Sequence, residues 1–191
     1  MAISLQKGQK IDIGLSKISV GLGWNPNEGT GHCFDLDASA FMINAQRLIP
    51  TEEHFIFYGN TRSPERALYH TGDDPTGGNS EEGDDEVIEV DLEKAGDDIQ
   101  EILFVVTIHE AGVRKQNFGQ VRNSYIRIVD QATGTEIAKY ELGEDFSVET
   151  AVDFGRLYRR DKKWRFEASG IGCKEDLAFF LRKHYKGHIT G

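Results

Sequence analysis

Residues 34–43 read Phe-Asp-Leu-Asp-Ala-Ser-Ala-Phe-Met-Ile, a segment in which side chains of two kinds alternate. Alternation with a period of two is typical of a β-strand, because successive side chains of a strand point to opposite sides. One face of this strand carries Leu36, Ala38, Ala40 and Met42. The other face carries Asp35 and Asp37, with Ser39 beyond them. We therefore expect a strand with one apolar face and two neighbouring carboxylates on the opposite face.

Similar short segments, bounded by turn residues, recur along most of the chain. Further strands are expected over 54–58, 87–92, 102–109, 124–129, 136–142, 151–158 and 164–168. The last two are joined by a polar connection over 159–163 that suits a hairpin. Helical spacing of apolar residues from Leu177 to Leu181 predicts one short helix near the C-terminus. The sequence thus predicts an all-β protein, a two-sheet β-sandwich with a short C-terminal helix, as a single domain over residues 1–191.

The acidic residues are concentrated in one part of the chain. The net charge is −10, yet residues 71–101 hold thirteen acidic residues and one base, Lys94, so this window alone carries −12. The acidity disfavours a nucleic-acid-binding surface. The N-terminus has no apolar signal core, and no stretch has the roughly eighteen apolar residues of a membrane span. We expect a cytoplasmic protein without membrane insertion.

Two acidic elements suggest a metal site. Asp35 and Asp37 repel each other unless a cation lies between them, although two solvent-facing aspartates are the simpler alternative. The second element is the loop 72–86, where glycines and a proline let the backbone turn tightly so that oxygens can converge. Oxygen donors without sulfur favour calcium or magnesium, and calcium suits a long, irregular loop better because it accepts about six to eight oxygens. The spacing is not that of an EF-hand.

Motifs of catalysis are missing. His109-Glu110 would need a second histidine at position 113 to form a zinc-protease motif, and Val113 stands there. No nucleophile elbow, P-loop or dinucleotide fingerprint occurs. We expect a protein that is not an enzyme. Two alternatives stay open, a metal-dependent hydrolase using the same carboxylates and an acidic interaction domain that binds no metal.

One further segment, Arg114-Lys115-Gln116-Asn117-Phe118, combines bases with an aromatic residue. It could contact a ligand or a nucleic acid. A buried polar network or the packing of a loop is the other interpretation.

Several motifs in order resemble those of the TerD family of tellurium-resistance and stress proteins. They are Gly21-Leu22-Gly23-Trp24, Phe34-Asp35-Leu36-Asp37-Ala38-Ser39, the 72–86 loop, Val106-Thr107-Ile108-His109, Arg114-Lys115-Gln116-Asn117-Phe118-Gly119 and Gly134-Thr135-Glu136-Ile137-Ala138. The resemblance covers roughly residues 1–172. It implies a β-sandwich that binds calcium through clustered acidic loops and is encoded among genes for resistance to tellurite and other stresses. It also implies, as partners, other tellurium-resistance proteins and a membrane protein.

Carried onto this sequence, the resemblance implies a set of calcium ligands. The first group is Asp35, Asp37, Asp73, Asp84, Asp85 and Glu86, and the second is Asn60 and Glu110. The chain departs from the family pattern at Asn25, where aspartate is usual after the Gly-Leu-Gly-Trp motif. Its acidic loop is also about two residues longer than usual. These departures leave the cluster in place and bear on the number of ions bound.

Overall fold

The computed structural model describes residues 3–4, 7–14, 16–78 and 83–187. In chain order the strands are β1 (Ile3–Ser4), β2 (Lys10–Asp12), β3 (Lys17–Gly23), β4 (Leu36–Asn44), β5 (Phe55–Ile56), β6 (Leu68–His70), β7 (Glu86–Asp91), β8 (Ile99–Ile108), β9 (Tyr125–Asp130), β10 (Glu136–Glu141), β11 (Ala151–Arg160), β12 (Lys163–Glu167) and β13 (Ile171–Cys173). The helices are α1 (Ala111–Arg114), α2 (Leu142–Asp145) and α3 (Leu177–His184), with 3-10 turns at Glu52–His54 and Phe118–Gln120.

Within these residues the strands form two sheets. The first has the order β1-β10-β9-β3-β7-β6, and the second has the order β2-β12-β11-β8-β4-β5 with β13 paired to β11. All pairings are antiparallel except that of β1 with β10. The prediction of an all-β sandwich with a short C-terminal helix is confirmed.

The main hydrophobic core lies between the two sheets, and strand β4 shows why. Its side chains Leu36, Ala38, Ala40 and Met42 are at most 2% exposed and belong to this core. The opposite face of the second sheet is covered in part by α3, whose Phe180 packs with Leu103, Val105 and Phe41. Strand β8 is therefore apolar on both faces, whereas the start of β4 is left free to carry polar groups.

Several segments differ from the expected pattern. The short strands β1, β2, β6 and β13 were not predicted. Strand β3, at the centre of the first sheet, was also not predicted. Its apolar residues Ile18, Val20 and Leu22 alternate, but Gly21 and Gly23 on the other face are disfavoured in strands. The expected strand over 54–58 is reduced to Phe55–Ile56, since the Asn60 side-chain amide donates to the carbonyls of Glu53 and Phe55 and closes a turn there. The hairpin at 159–163 is present, with a two-residue turn in which Asp161 and Lys162 have φ of 53° and 61°.

The described helices are short. None of them, within the described ranges, has both the length and the apolar character needed to cross a membrane.

Candidate metal centre

Three carboxylates meet at the beginning of strand β4. Asp35 and Asp37 point away from the core because Leu36 and Ala38 point into it. Asp73 comes from the loop that follows β6. One oxygen from each of these side chains lies within 4.8 Å of the others. Asp37 is 4% exposed, Asp35 is half-buried and Asp73 is exposed, so the group opens from the protein interior toward solvent.

One guanidinium partly balances these charges. Arg114, in α1, places a terminal nitrogen 3.3 Å from the Asp35 carboxylate and its Nε 3.3 Å from Glu110. Burial raises the pKa of Asp35, and the charges of His109 and Arg114 oppose that shift. Among the described residues this leaves Asp37 without an ion pair, next to two other acids. Three carboxylates against one arginine leave a net negative site.

Asp37 shows the effect of this imbalance most clearly. Burial, followed by the charges of Glu86, Asp35 and Asp73, raises the pKa of Asp37 from 3.8 to about 8. The nearby Tyr58 responds in the same way, since burial and then the charges of Asp37, Asp73 and Asp35 raise its phenol pKa. A carboxyl in such surroundings holds either a proton or a cation near neutral pH.

The Glu86 side chain lies next to the site and accepts hydrogen bonds from backbone amides on two segments. The side chain is buried, and one oxygen accepts a hydrogen bond of 2.7 Å from the Ala38 amide, where the short β5 leaves the edge of β4 open. The other oxygen accepts from the Asp74 amide at 3.3 Å. His70 Nδ1 accepts from the Gly72 amide, so Nε2 carries the proton and faces Glu86 at 3.4 Å. Glu86 thus ties strand β4 to the loop that carries Asp73.

The turn that follows Asp73 is held by the side chain of Asp74. Asp74 accepts hydrogen bonds at one oxygen from the Thr76 amide, the Thr76 hydroxyl and the Gly77 amide. Residues 79–82 of the predicted acidic loop, Glu81 and Glu82 among them, lie outside the described residues.

Two predicted ligands are held by the first sheet. Asp84 forms a bidentate pair with Arg127, at 2.7 Å and 3.1 Å, and accepts a hydrogen bond of 3.0 Å from the Tyr125 hydroxyl. Asp85 accepts from the Trp24 amide at 2.8 Å. Both contacts pin the end of the acidic loop to the sheet. Gly21 is needed here, because a Cβ at that position would collide with the Asp84 carboxylate.

The second group of predicted ligands lies at the periphery. Asn60 uses its side-chain nitrogen for two backbone carbonyls, at 3.1 Å and 2.7 Å. Glu110 has φ of 50°, is exposed, and contacts Arg114, which in turn contacts Asp35. The structure therefore brings together Asp35, Asp37 and Asp73 and gives the other predicted ligands protein partners. Metal binding by any of the eight residues stays a prediction.

Sequence reasoning did not place Arg114, His70 or Tyr58 at this site. The basic segment 114–118, which the sequence analysis singled out, contains Arg114. The structure shows how this segment packs. The Gln116 side-chain nitrogen donates to the carbonyls of His32 and Cys33, at 3.0 Å and 3.1 Å, which holds the segment against the chain that leads into β4. His70 and Tyr58 carry no local pattern that marks them.

Comparisons with known proteins identify relatives and structures with the same fold. Residues 1–184 match the TerD domain family model. The chain is 46% identical to general stress protein 16U of Bacillus subtilis, over 93% of this chain and 94% of that protein. It is 43% identical to the tellurium resistance protein TerD of an Alcaligenes species, with the same coverage. A crystal structure of a TerD homologue from Streptomyces coelicolor superposes with a TM-score of 0.75 at 20% identity, over 88% of this chain and 96% of that one, and shows the shared fold.

Proposed function

The chain belongs to the TerD family, which includes tellurium-resistance and general stress proteins, and we propose that it is a calcium-binding, non-catalytic member of that family. In this proposal the ion occupies the group formed by Asp35, Asp37 and Asp73. It orders the acidic loop at one end of the sandwich, and the ordered end is the surface on which partners assemble.

The observation that carries the proposal is the convergence of three carboxylates from two distant segments, with oxygens within 4.8 Å of one another. An ion bound there would link strand β4 to the loop that contains Asp73. The available donors are oxygens, which suit calcium and magnesium. Calcium is favoured because it tolerates irregular coordination completed by backbone carbonyls and water, whereas magnesium requires a tight octahedron.

A non-catalytic role is supported by the way the neighbouring groups are used. Glu86 accepts hydrogen bonds from two backbone amides, and His70 lies between Gly72 and Glu86, so both have structural tasks. A metal-dependent hydrolase needs a free general base beside an open coordination position. Turnover of a phosphoester by the calcium-loaded or magnesium-loaded protein would contradict this part of the proposal.

The names of the relatives support a role in tellurium resistance or stress responses. The proposal adds a cytoplasmic location and, as partners, other tellurium-resistance proteins and a membrane protein. The net charge of −10 makes a nucleic-acid partner unfavourable.

Thermal unfolding tests the proposal against simple charge screening. Calcium in about hundredfold excess over its dissociation constant adds about 2.7 kcal/mol to the stability of the folded protein, which raises the melting temperature by roughly 5–10 °C for a domain of this size. Magnesium at equal concentration should raise it distinctly less. Sodium chloride at matched ionic strength is the control, and equal shifts with all three salts would mean that the acidic window is screened without a specific site.

A further inference from the structure

Exposed basic side chains surround the C-terminal helix α3. In chain order they are Lys7, Arg47, Lys174, Arg182, Lys183 and Lys186. Lys174 and Arg182 line one groove beside the helix. Lys183 lines a neighbouring cavity together with Lys7 and Arg47. Lys186 follows the end of the helix by two residues. We call these six residues the basic surface.

Little exposed negative charge opposes the basic surface. Among the described residues, the members that form no ion pair within 4.0 Å are Lys7, Lys174, Lys183 and Lys186. Arg182 lies 3.8 Å from Asp176, but the two side chains are 62% and 74% exposed, so this pair contributes little. Arg47 approaches Glu101 at 3.7 Å with a side chain that is 64% exposed. The exposed acids next to the helix are Asp176 and its neighbour Glu175, so the basic surface keeps a net positive charge.

The acids beneath the basic surface have another partner or a reduced charge. Arg156 lies 2.7 Å from Glu101 and 2.9 Å from Glu167. Burial raises the pKa of Asp153, which favours its neutral form. These three acids therefore compensate the outer bases only weakly.

The outward face of α3 also carries an aromatic ring. Phe180 and His184 turn toward the second sheet and are 3% and 2% exposed. Phe179, Arg182 and Lys183, at the spacing i, i+3 and i+4, share a face that turns away from that sheet. The Phe179 ring is partly exposed and packs edge-on against Phe180, with the ring centroids 5.4 Å apart. The helix thus presents one ring flanked by two bases to solvent.

Two acidic groups of the chain lie about a Debye length or more from α3. Strand β7, with Glu89 and Asp91, belongs to the first sheet, whereas α3 covers the outer face of the second sheet. Packed sheets are about 10 Å apart, and the Debye length at physiological ionic strength is about 8 Å. The candidate metal centre shares the outer face, but Asp37 is four residues, or about 13 Å, along β4 from Phe41, which packs under the helix. Both groups are largely screened from a partner in contact with α3.

We propose that the basic surface docks on an anionic phospholipid membrane, with α3 against the lipid headgroups and no segment crossing the bilayer. The bases line two separate depressions and extend beyond the helix, which suits a plane of many charges better than a single phosphate or carboxylate. A bilayer also offers an apolar layer next to its charges, and the partly exposed Phe179 ring fits such an interface. The proposal does not rest on the metal centre.

Co-sedimentation of the full chain with lipid vesicles tests the proposal, in chelator and in about 0.1 M sodium chloride. The chain should bind vesicles of equal parts phosphatidylcholine and phosphatidylglycerol at least about tenfold more strongly than vesicles of phosphatidylcholine alone. Raising the sodium chloride to about 0.5 M should weaken this binding at least about tenfold, because the contact is electrostatic.

Two double variants locate the contact. Arg182→Gln/Lys186→Gln should weaken vesicle binding by roughly 25-fold, since each base near an anionic surface contributes about fivefold. Arg66→Gln/Arg122→Gln is the matched control, because it removes the same charge from exposed positions beside β6 and β9 of the first sheet. It should bind within about twofold of the parent. All four positions are exposed, so both proteins should fold, which their melting temperatures check.

The proposal is overturned if the chain does not bind the mixed vesicles in chelator. It is also overturned if Arg182→Gln/Lys186→Gln binds as tightly as the control variant, which would mean a response to net charge alone. Binding of polyglutamate without binding of vesicles would indicate an acidic protein partner and would overturn it as well.

Discussion

Replacing Asp37 with asparagine should show how much the buried Asp37 carboxyl destabilises the metal-free protein. The same variant shows whether this carboxyl is needed for calcium to stabilise the protein. In the folded protein the Asp37 carboxyl has a pKa of about 8, against 3.8 for an ordinary aspartate. Below pH 3.8 the Asp37 carboxyl is protonated in both the folded and the unfolded chain, so it costs the folded protein no stability. As the pH rises toward the higher value, the unfolded chain releases a proton that the folded chain retains, so stability falls by about 1.4 kcal/mol per pH unit.

This reasoning gives a magnitude for the Asp37→Asn variant. Near pH 7 the loss in the metal-free parent amounts to about 4 kcal/mol, and no screening reduces it because Asp37 is 4% exposed. The neutral amide avoids that loss. With about 2–4 °C per kcal/mol for a chain of this length, the variant should melt roughly 10 °C above the parent in chelator. The difference should vanish near about pH 4.

Differential scanning calorimetry in chelator and then in calcium measures both effects. Calcium should stabilise the parent and leave Asp37→Asn unchanged, so the gap between them narrows. Asp161→Asn, at an exposed position, serves as the control and should melt within about 2 °C of the parent. A variant that melts at or below the parent in chelator near pH 7 would refute the argument that Asp37 is a destabilising carboxyl awaiting a cation.

Other predictions concern proton competition and the role of the remaining acids. Because Asp37 must lose its proton before a cation binds, the calcium dissociation constant should fall about tenfold per pH unit between about pH 6 and pH 8, as measured by titration at three pH values. A constant that does not change with pH would place the ion elsewhere. Asp84→Asn should destabilise the fold by about 1–3 kcal/mol in urea unfolding, because it breaks the pair with Arg127, while calcium affinity changes less than about threefold. A large loss of affinity in that variant would make Asp84 a ligand.

The sequence was most informative where apolar residues alternate along a strand that buries one face. The alternation over 34–43 located β4 (Leu36–Asn44) within two residues at its start and correctly assigned the core side to Leu36 and Ala38. It was less informative at β3, where Gly21 and Gly23 stand on the face opposite Ile18, Val20 and Leu22 and are disfavoured in strands. Their lack of a side chain admits the Asp84 carboxylate and the Tyr125 ring, so the reason for the glycines is visible only in three dimensions.

The candidate metal centre, too, could be predicted from the sequence only in part. The shared face of Asp35 and Asp37 follows from strand geometry and could be predicted. Which acid of the long loop joins them depends on where the loop crosses β4, and the structure selects Asp73. Asp84 was an equally good candidate from composition, yet its partner Arg127 lies 43 residues away and belongs to another strand. Long-range pairing of this kind leaves no local signal.

Calcium titration calorimetry of the chelator-treated chain tests the central claim most directly. The account predicts saturable binding of calcium near about pH 8, weaker binding of magnesium, and a loss of at least about tenfold in calcium affinity in Asp37→Asn. Heats that do not saturate, or an Asp37→Asn variant that binds calcium as tightly as the parent, would contradict the assignment of a calcium site to Asp35, Asp37 and Asp73.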